Sequence, residues 1–535
     1  MRLLTTFLAC ACLAGTAGAQ TGRRVAPAPV RPTLVLLVTV DQLKPEYLDR
    51  YAPQFTGGFA RLLKGGAIFT NAFQDHGITE TAPGHASILS GRFPRSTGIV
   101  GNAAGVLDPQ MPLIAGGGGE PASPFRFRGT TLADWLRFRD PNARALSVSR
   151  KDRGAILTLG RARGEAFWYG YNGMFTTSTY YADTLPGWVQ QFNARRLFQR
   201  FAGRSWTLLR PASDYPEPDS VRREAQGRDF AFPHRFPADT NRTAAQFPQF
   251  PMMDSITLQF ALQGLQDRQL GAASSRIDVL AISLSSTDAV GHKYGPDSRE
   301  LHDQVLRVDK YLGEFLDSLY VVRDSTRIVI ALTSDHGVAP TPPSGGQGRW
   351  RTVPGGFADL RPIASRMFRE VVAAGVDSAA FRWELESLYL EPEPFARAGV
   401  DRDSVAREFV RAASQVEGVL RADLWSDIAR MDPRRDPFVR RWQHTFPSDL
   451  PLAALVVLEP YWYYAGTTEA THGSPHDYDA HVPMIFAGAG IAPGRYPEFA
   501  RVVDIAPTLA AIVGVRPMEA LDGVVLRQAM RQAMR

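Results

Sequence analysis

Continuous apolar runs alternate along this chain with stretches whose apolar residues recur every three or four positions. Residues 32–40 form one such run, rich in β-branched side chains and ending at Asp41. A strand covered on both faces reads this way, as strands of a parallel sheet do. Residues 277–284 end just before Asp288, and residues 327–332 just before Asp335-His336. Residues 452–458 and 482–486 suit the same sheet. Residues 59–63 and 86–89 carry short helical patterns. Residues 299–320 predict a long amphipathic helix, with Leu301, Val305, Val308, Leu312, Phe315 and Leu319 near helical spacing. Strands alternating with helices predict an α/β fold, a mainly parallel central sheet flanked by helices. Ligands in such sheets sit beyond the carboxyl ends of the strands, where the acidic and histidine residues just named occur.

Two stretches break the pattern. Residues of about 103–275 and 338–450 are rich in aromatics, Arg, Pro and Gly, with helices expected around 395–430. Both read as insertions that cap or wall the site within a single catalytic domain spanning residues 33–535. Gly116 to Gly119 form a flexible loop without the Lys-Ser/Thr ending of a phosphate-cradling nucleotide loop. No internal repeat is found.

The 535 residues carry a formal charge of +6, mild for this length, and no Lys/Arg-rich block of the kind that binds nucleic acid or lipid. The chain starts Met1-Arg2, runs apolar from Leu3 to Leu13 and presents Ala17-Gly18-Ala19 before Gln20. This is the pattern of a cleaved signal peptide over residues 1–19, followed by a flexible lead-in over 20–32. The apolar stretch falls short of the ~20 residues that span a bilayer. The expected location is periplasmic or secreted, without stable membrane insertion. Both cysteines, Cys10 and Cys12, lie inside that peptide. A mature chain without cysteine has no disulfide, thiolate zinc site or cysteine nucleophile. Any metal must rest on His, Asp and Glu.

Four motifs carry chemistry. In Thr79-Glu80-Thr81-Ala82-Pro83-Gly84-His85, Thr81 precedes a helical stretch, where free N–H groups and the helix dipole favour an anion. Alone, Thr79 or Thr81 could equally be a plain helix cap. Asp288 and His292 are four residues apart, sharing one face if the segment is helical with workable metal-ligand spacing. Asp335-His336-Gly337 follows a strand. Asp75-His76-Gly77 has the same letters and reads as loop. Late in the chain His472, His476 and His481 cluster; at least one is expected to be a ligand.

In this order, with Asp41 ending the first strand, the motifs resemble the alkaline phosphatase superfamily over residues of about 33–515, and within it the PafA-type bacterial phosphate monoesterases. Asn102 in Gly98-Ile99-Val100-Gly101-Asn102 and the pair in Lys151-Asp152-Arg153-Gly154-Ala155 extend the resemblance. It implies two Zn2+ per chain, one on Asp41, Asp335, His336 and Thr81, the other on Asp288, His292 and His472. It implies Thr81 as nucleophile, a phosphothreonine intermediate, and Asn102, Lys151 and Arg153 binding the phosphoryl oxygens. The expected substrates are small-molecule phosphate monoesters, with no nucleic-acid partner. The alternatives are a phosphodiesterase or nucleotide pyrophosphatase of the same superfamily, and a non-catalytic zinc-binding envelope protein. His472 fits the implied Thr-His-Gly better than His476. Natural substrate and oligomeric state are not legible.

Overall fold

The computed structural model describes residues 31–114, 116–222, 224–340, 355–384 and 386–531. The signal-peptide reading and both cysteines lie outside the described residues, as does the lead-in but for its last two.

A nine-stranded sheet organises the molecule. Its strands run in the order Gly494–Tyr496, Ala67–Phe69, Met484–Gly488, Ile328–Thr333, Leu34–Val40, Asp278–Leu284, Ala145–Ser149, Glu165–Tyr169, Phe175–Thr176. The central strand pairs in parallel with both neighbours, Leu37 opposite Ala331 on one side and Ala281 on the other. All seven of its residues are buried. Its side chains alternate between faces, as a pleated strand requires. Leu34, Leu36, Val38 and Val40 join one apolar cluster, Val35 and Leu37 the other.

The helix Arg299–Val322 covers the first face with Leu301, Val305, Val308, Leu312, Phe315 and Leu319. It begins where the Ser298 hydroxyl accepts the Leu301 N–H at 3.1 Å, a side-chain cap. The helix Ile505–Val513 covers the opposite face. Among the described residues, no helix is long and apolar enough to cross a membrane.

Three elements depart from the sequence reading. Leu452–Leu458 does not join the central sheet. It lies in a separate four-stranded antiparallel sheet, between Ser387–Leu390 and Val419–Leu424. Met484–Gly488 does join the central sheet, but antiparallel to both neighbours. Residues 145–176, expected within a cap, instead supply three strands of the central sheet. A short apolar run identifies a buried strand without naming its partner, because pairing is set by distant chain. In the 395–430 stretch the expected helices form as Arg402–Ala413 and Trp425–Ile428, with a strand between them.

Candidate active site

Four parallel strands deliver their carboxyl ends to one edge. Asp41 directly follows Leu34–Val40, and Asp335-His336 follow Ile328–Thr333 by one residue. Asp278–Leu284 leads into the helix Ser286–Tyr294, on which Asp288 and His292 lie one turn apart, His292 Nε2 3.1 Å from Asp288 Oδ1. Ala145–Ser149 leads into Lys151 at the start of the helix Asp152–Leu159. Thr81 opens the helix Thr81–Ile88 and is 1% exposed.

The nucleophile candidate meets residues of two other motifs. Its Oγ1 lies 3.1 Å from Lys151 Nζ and 3.5 Å from His336 Nε2. Lys151 Nζ also bridges Asp41 Oδ2 at 2.7 Å and Asp288 Oδ2 at 2.8 Å. Asn102 accepts the Ala82 N–H on Oδ1 at 3.0 Å and donates its own backbone N–H to Glu80 Oε2 at 2.6 Å. Its side-chain carbonyl is thus engaged, which leaves the amide N–H donors to act. Arg153 is not brought against Thr81; its guanidinium lies 3.6 Å from Asp152.

Among the described residues, two groups of side chains converge closely enough to hold metal ions. Asp288, His292 and His472 place ligand atoms within 4.8 Å of one another, and so do Asp41, Asp288 and His336. The second group differs from the expected set of Asp41, Asp335 and His336. Lys151 draws Asp41 and Asp288 together, while Asp335 Oδ2 lies 3.2 Å from His85 Nδ1 and 3.6 Å from His336 Nε2. His472, not His476, reaches Asp288, with Nε2 at 3.5 Å. His476 turns to the Leu458 carbonyl at 2.8 Å and His481 to that of Thr70 at 3.1 Å.

The donor set fits a zinc-like cation. His336, His292 and His472 each donate Nδ1–H to a backbone carbonyl, of Gly337 at 2.9 Å, Ala470 at 2.6 Å and Thr79 at 2.9 Å. A carbonyl only accepts, so in the neutral ring Nδ1 carries the proton and Nε2 is the atom left to bind a cation among the carboxylates. Asp41 Oδ1 and Asp335 Oδ2 are buried without a hydrogen-bond donor, a place where an ionised carboxylate needs a cation. Burial pushes Asp41 up to about 6, helped by Asp288 and Asp335 and opposed by Lys151. Burial would also raise Asp288, but Lys151 and His292 hold it well below the usual carboxylate range. Burial lowers His336 and, with His336 beside it, His472. Neutral imidazoles are the form that binds metal.

Sequence reasoning passed over two members. His85 donates Nδ1–H to the Thr81 carbonyl at 3.0 Å, and its Nε2 meets Ser283 Oγ at 3.0 Å. Its i+4 spacing from Thr81 was the available signal. Arg150 comes within 3.9 Å of Asp288, and nothing in the sequence separated it from a surface cation.

Residues 35–474 match the profile of the type I phosphodiesterase/nucleotide pyrophosphatase family. The chain belongs to that family, within the alkaline phosphatase superfamily, and is an enzyme of phosphate-ester hydrolysis. It is 31% identical to alkaline phosphatase PhoV of Synechococcus elongatus, over 94% of this chain and 93% of that one. It is 30% identical to alkaline phosphatase PhoK of Sphingomonas sp, over 94% and 91%. The crystal structure of wild-type alkaline phosphatase PafA superposes with a TM-score of 0.83 at 26% identity, covering 94% of this chain and 99% of that one.

Proposed function

We propose that the chain hydrolyses phosphate monoesters by in-line transfer to Thr81, with two zinc ions and a phosphothreonine intermediate. The observation that carries this reading is the contact of Thr81 Oγ1 with Lys151 Nζ at 3.1 Å and His336 Nε2 at 3.5 Å, between two groups of metal-competent side chains. Asp41 and His336 would hold one ion beside Thr81, joined by Asp335, whose donor-free Oδ2 lies 3.6 Å from His336 Nε2; Asp288, His292 and His472 would hold the other. Zinc held by these residues would supply Lewis-acid charge to the transferring phosphoryl group.

A threonine hydroxyl is a weak nucleophile at neutral pH. The Lys151 ammonium favours its alkoxide. Thr81 passes its proton to water, and Oγ1 bonds phosphorus as the bond to the leaving oxygen breaks and that oxygen takes a proton from water. Water attacks the phosphothreonine in a second displacement, releasing phosphate and restoring the hydroxyl. Lys151, Arg153 and the Asn102 amide would meet the non-bridging oxygens, since phosphoryl transfer depends on positioning and electrostatics. In this role the Arg153 guanidinium leaves Asp152 and swings toward the phosphoryl group.

A monoester presents one more charged terminal oxygen than a diester, and these donors favour it. The relatives named alkaline phosphatases support the same preference. The amino-terminal signal pattern supports action in the periplasm or outside the cell.

The test compares kcat/KM for an aryl phosphate with that for the matched methyl aryl phosphate, in wild type and in Lys151→Ala/Arg153→Ala. The expected result is a strong monoester preference that collapses in the double variant. A diester preference, or unchanged discrimination, favours the phosphodiesterase reading.

A further inference from the structure

Gln42 stands in a backbone conformation that its residue type rarely adopts. Its φ is +65°, in the left-handed region where glycine is at ease and other residues are strained. It is also 1% exposed, so no surface freedom relieves the strain.

The turned backbone lets one residue reach two carboxylates. The Gln42 N–H points at Asp335 Oδ1 at 3.2 Å, and its side-chain Nε2 donates to Asp288 Oδ1 at 3.1 Å. Those carboxylates follow the two strands that flank Leu34–Val40, and each belongs to a different proposed ion. The orientation of the amide is determined, because exchanging its ends would set a carbonyl against the Asp288 carboxylate. Gln42 Oε1 is then buried without a donor. It lies against Gly291, where a Cβ would come within 1.8 Å of it. Gly291 sits between Asp288 and His292 on their helix, so that helix rests on the Gln42 amide only because position 291 has no side chain.

We propose that Gln42 is a positioning residue that sets the separation and orientation of Asp288 and Asp335, and through them the affinity of the two metal sites. The inference rests on the reading that these carboxylates bind zinc. An amide suits the task because it donates to a carboxylate without titrating or adding charge.

The experiment titrates zinc itself into chelator-stripped protein against a chromophoric competitor, and records thermal unfolding of the metal-free form. Wild type, Gln42→Gly, Gly291→Ala and the double variant are compared. Gln42→Gly should unfold at or above the wild-type temperature, since glycine takes this φ without strain, yet lose about 10–100-fold in affinity for at least one ion. Gly291→Ala should lose a similar factor by displacing the amide. The double variant should be no worse than Gln42→Gly alone, because the displaced group is gone. A Gln42→Gly protein that is less stable but binds zinc as tightly as wild type overturns the proposal. Independent, multiplying losses in the double variant also overturn it. A wild type that takes up no zinc overturns the metal reading itself, and the inference with it.

Discussion

The tripeptide Asp-His-Gly occurs twice, and the two copies have different fates. Asp335-His336-Gly337 faces other acids and histidines across a strand edge. Asp75-His76-Gly77 is equally buried, yet faces cations. Arg440 Nε donates to Asp75 at 3.0 Å, Arg441 Nε lies 3.7 Å away, and His444 donates Nδ1–H to the Asp75 carbonyl at 2.7 Å. Arginine and histidine hold the Asp75 carboxyl below its usual range against the upward push of burial. Burial drives His76 down to about 3, and its Nε2 meets Gln74 Oε1 at 3.2 Å. One copy converges with ligand-competent neighbours; the other ties the helix Pro437–Thr445 to the loop that follows Ala72–Phe73. The letters are the same, and the neighbours decide the chemistry.

The largest effect should come from the first copy. His336→Ala is expected to lower kcat/KM by about 10³-fold, equivalent to about 4 kcal/mol, and to reduce bound zinc measured by elemental analysis. Retained activity would erase the distinction between the copies.

Asp75→Ala should do the reverse. Removing one partner of a buried ion pair costs about 3–5 kcal/mol, and Arg441 is 2% exposed. Urea unfolding should report a loss near the lower figure, since Arg440 keeps some solvent. Activity of the folded fraction should change less than about fivefold, because Asp75 touches none of the proposed ligands.

A third buried acid sharpens the contrast. Burial pushes Glu386 up to about 8, with Glu80 and Asp479 adding to the rise. Its folded pKa lies above the unfolded value, so its contribution to stability is complete below about 4.5 and declines as pH rises toward 8. Glu386→Gln should therefore leave stability unchanged near pH 4.5 and raise it by about 2 kcal/mol at pH 8. That figure sits well inside the limit of ~1.4 kcal/mol for each pH step between the two values. Thermal scans across this range check the sign; a variant destabilised at pH 8 would contradict it.

The smallest effect is expected at His76. His76→Gln should cost about 1 kcal/mol and leave zinc stoichiometry and kcat/KM within about threefold. A loss of zinc would give the second copy a metal role that its neighbours argue against.

Much of this was legible in the chain. Buried strands declared themselves by unbroken apolar runs, and residues 299–320 by a repeat that follows one helical face. Asp288 with His292, and Thr81 at a helix start, could be read because their relation is local. His85 was legible in principle at i+4 from Thr81 but lacked a partner in the sequence. The membership of Leu452–Leu458 and the antiparallel course of Met484–Gly488 were not legible, because an apolar run does not name its hydrogen-bonding neighbour.

By itself, then, the sequence determined the α/β class, the long amphipathic helix, and the placement of acids and histidines at strand ends. Tertiary structure alone decided that Lys151 bridges Asp41 and Asp288, and that Gln42 is turned to hold two carboxylates. The reason is range. Helical period and strand alternation are set by bonds between near neighbours, whereas a site at a sheet edge is assembled by pairing segments hundreds of residues apart, whose register only the packed core selects.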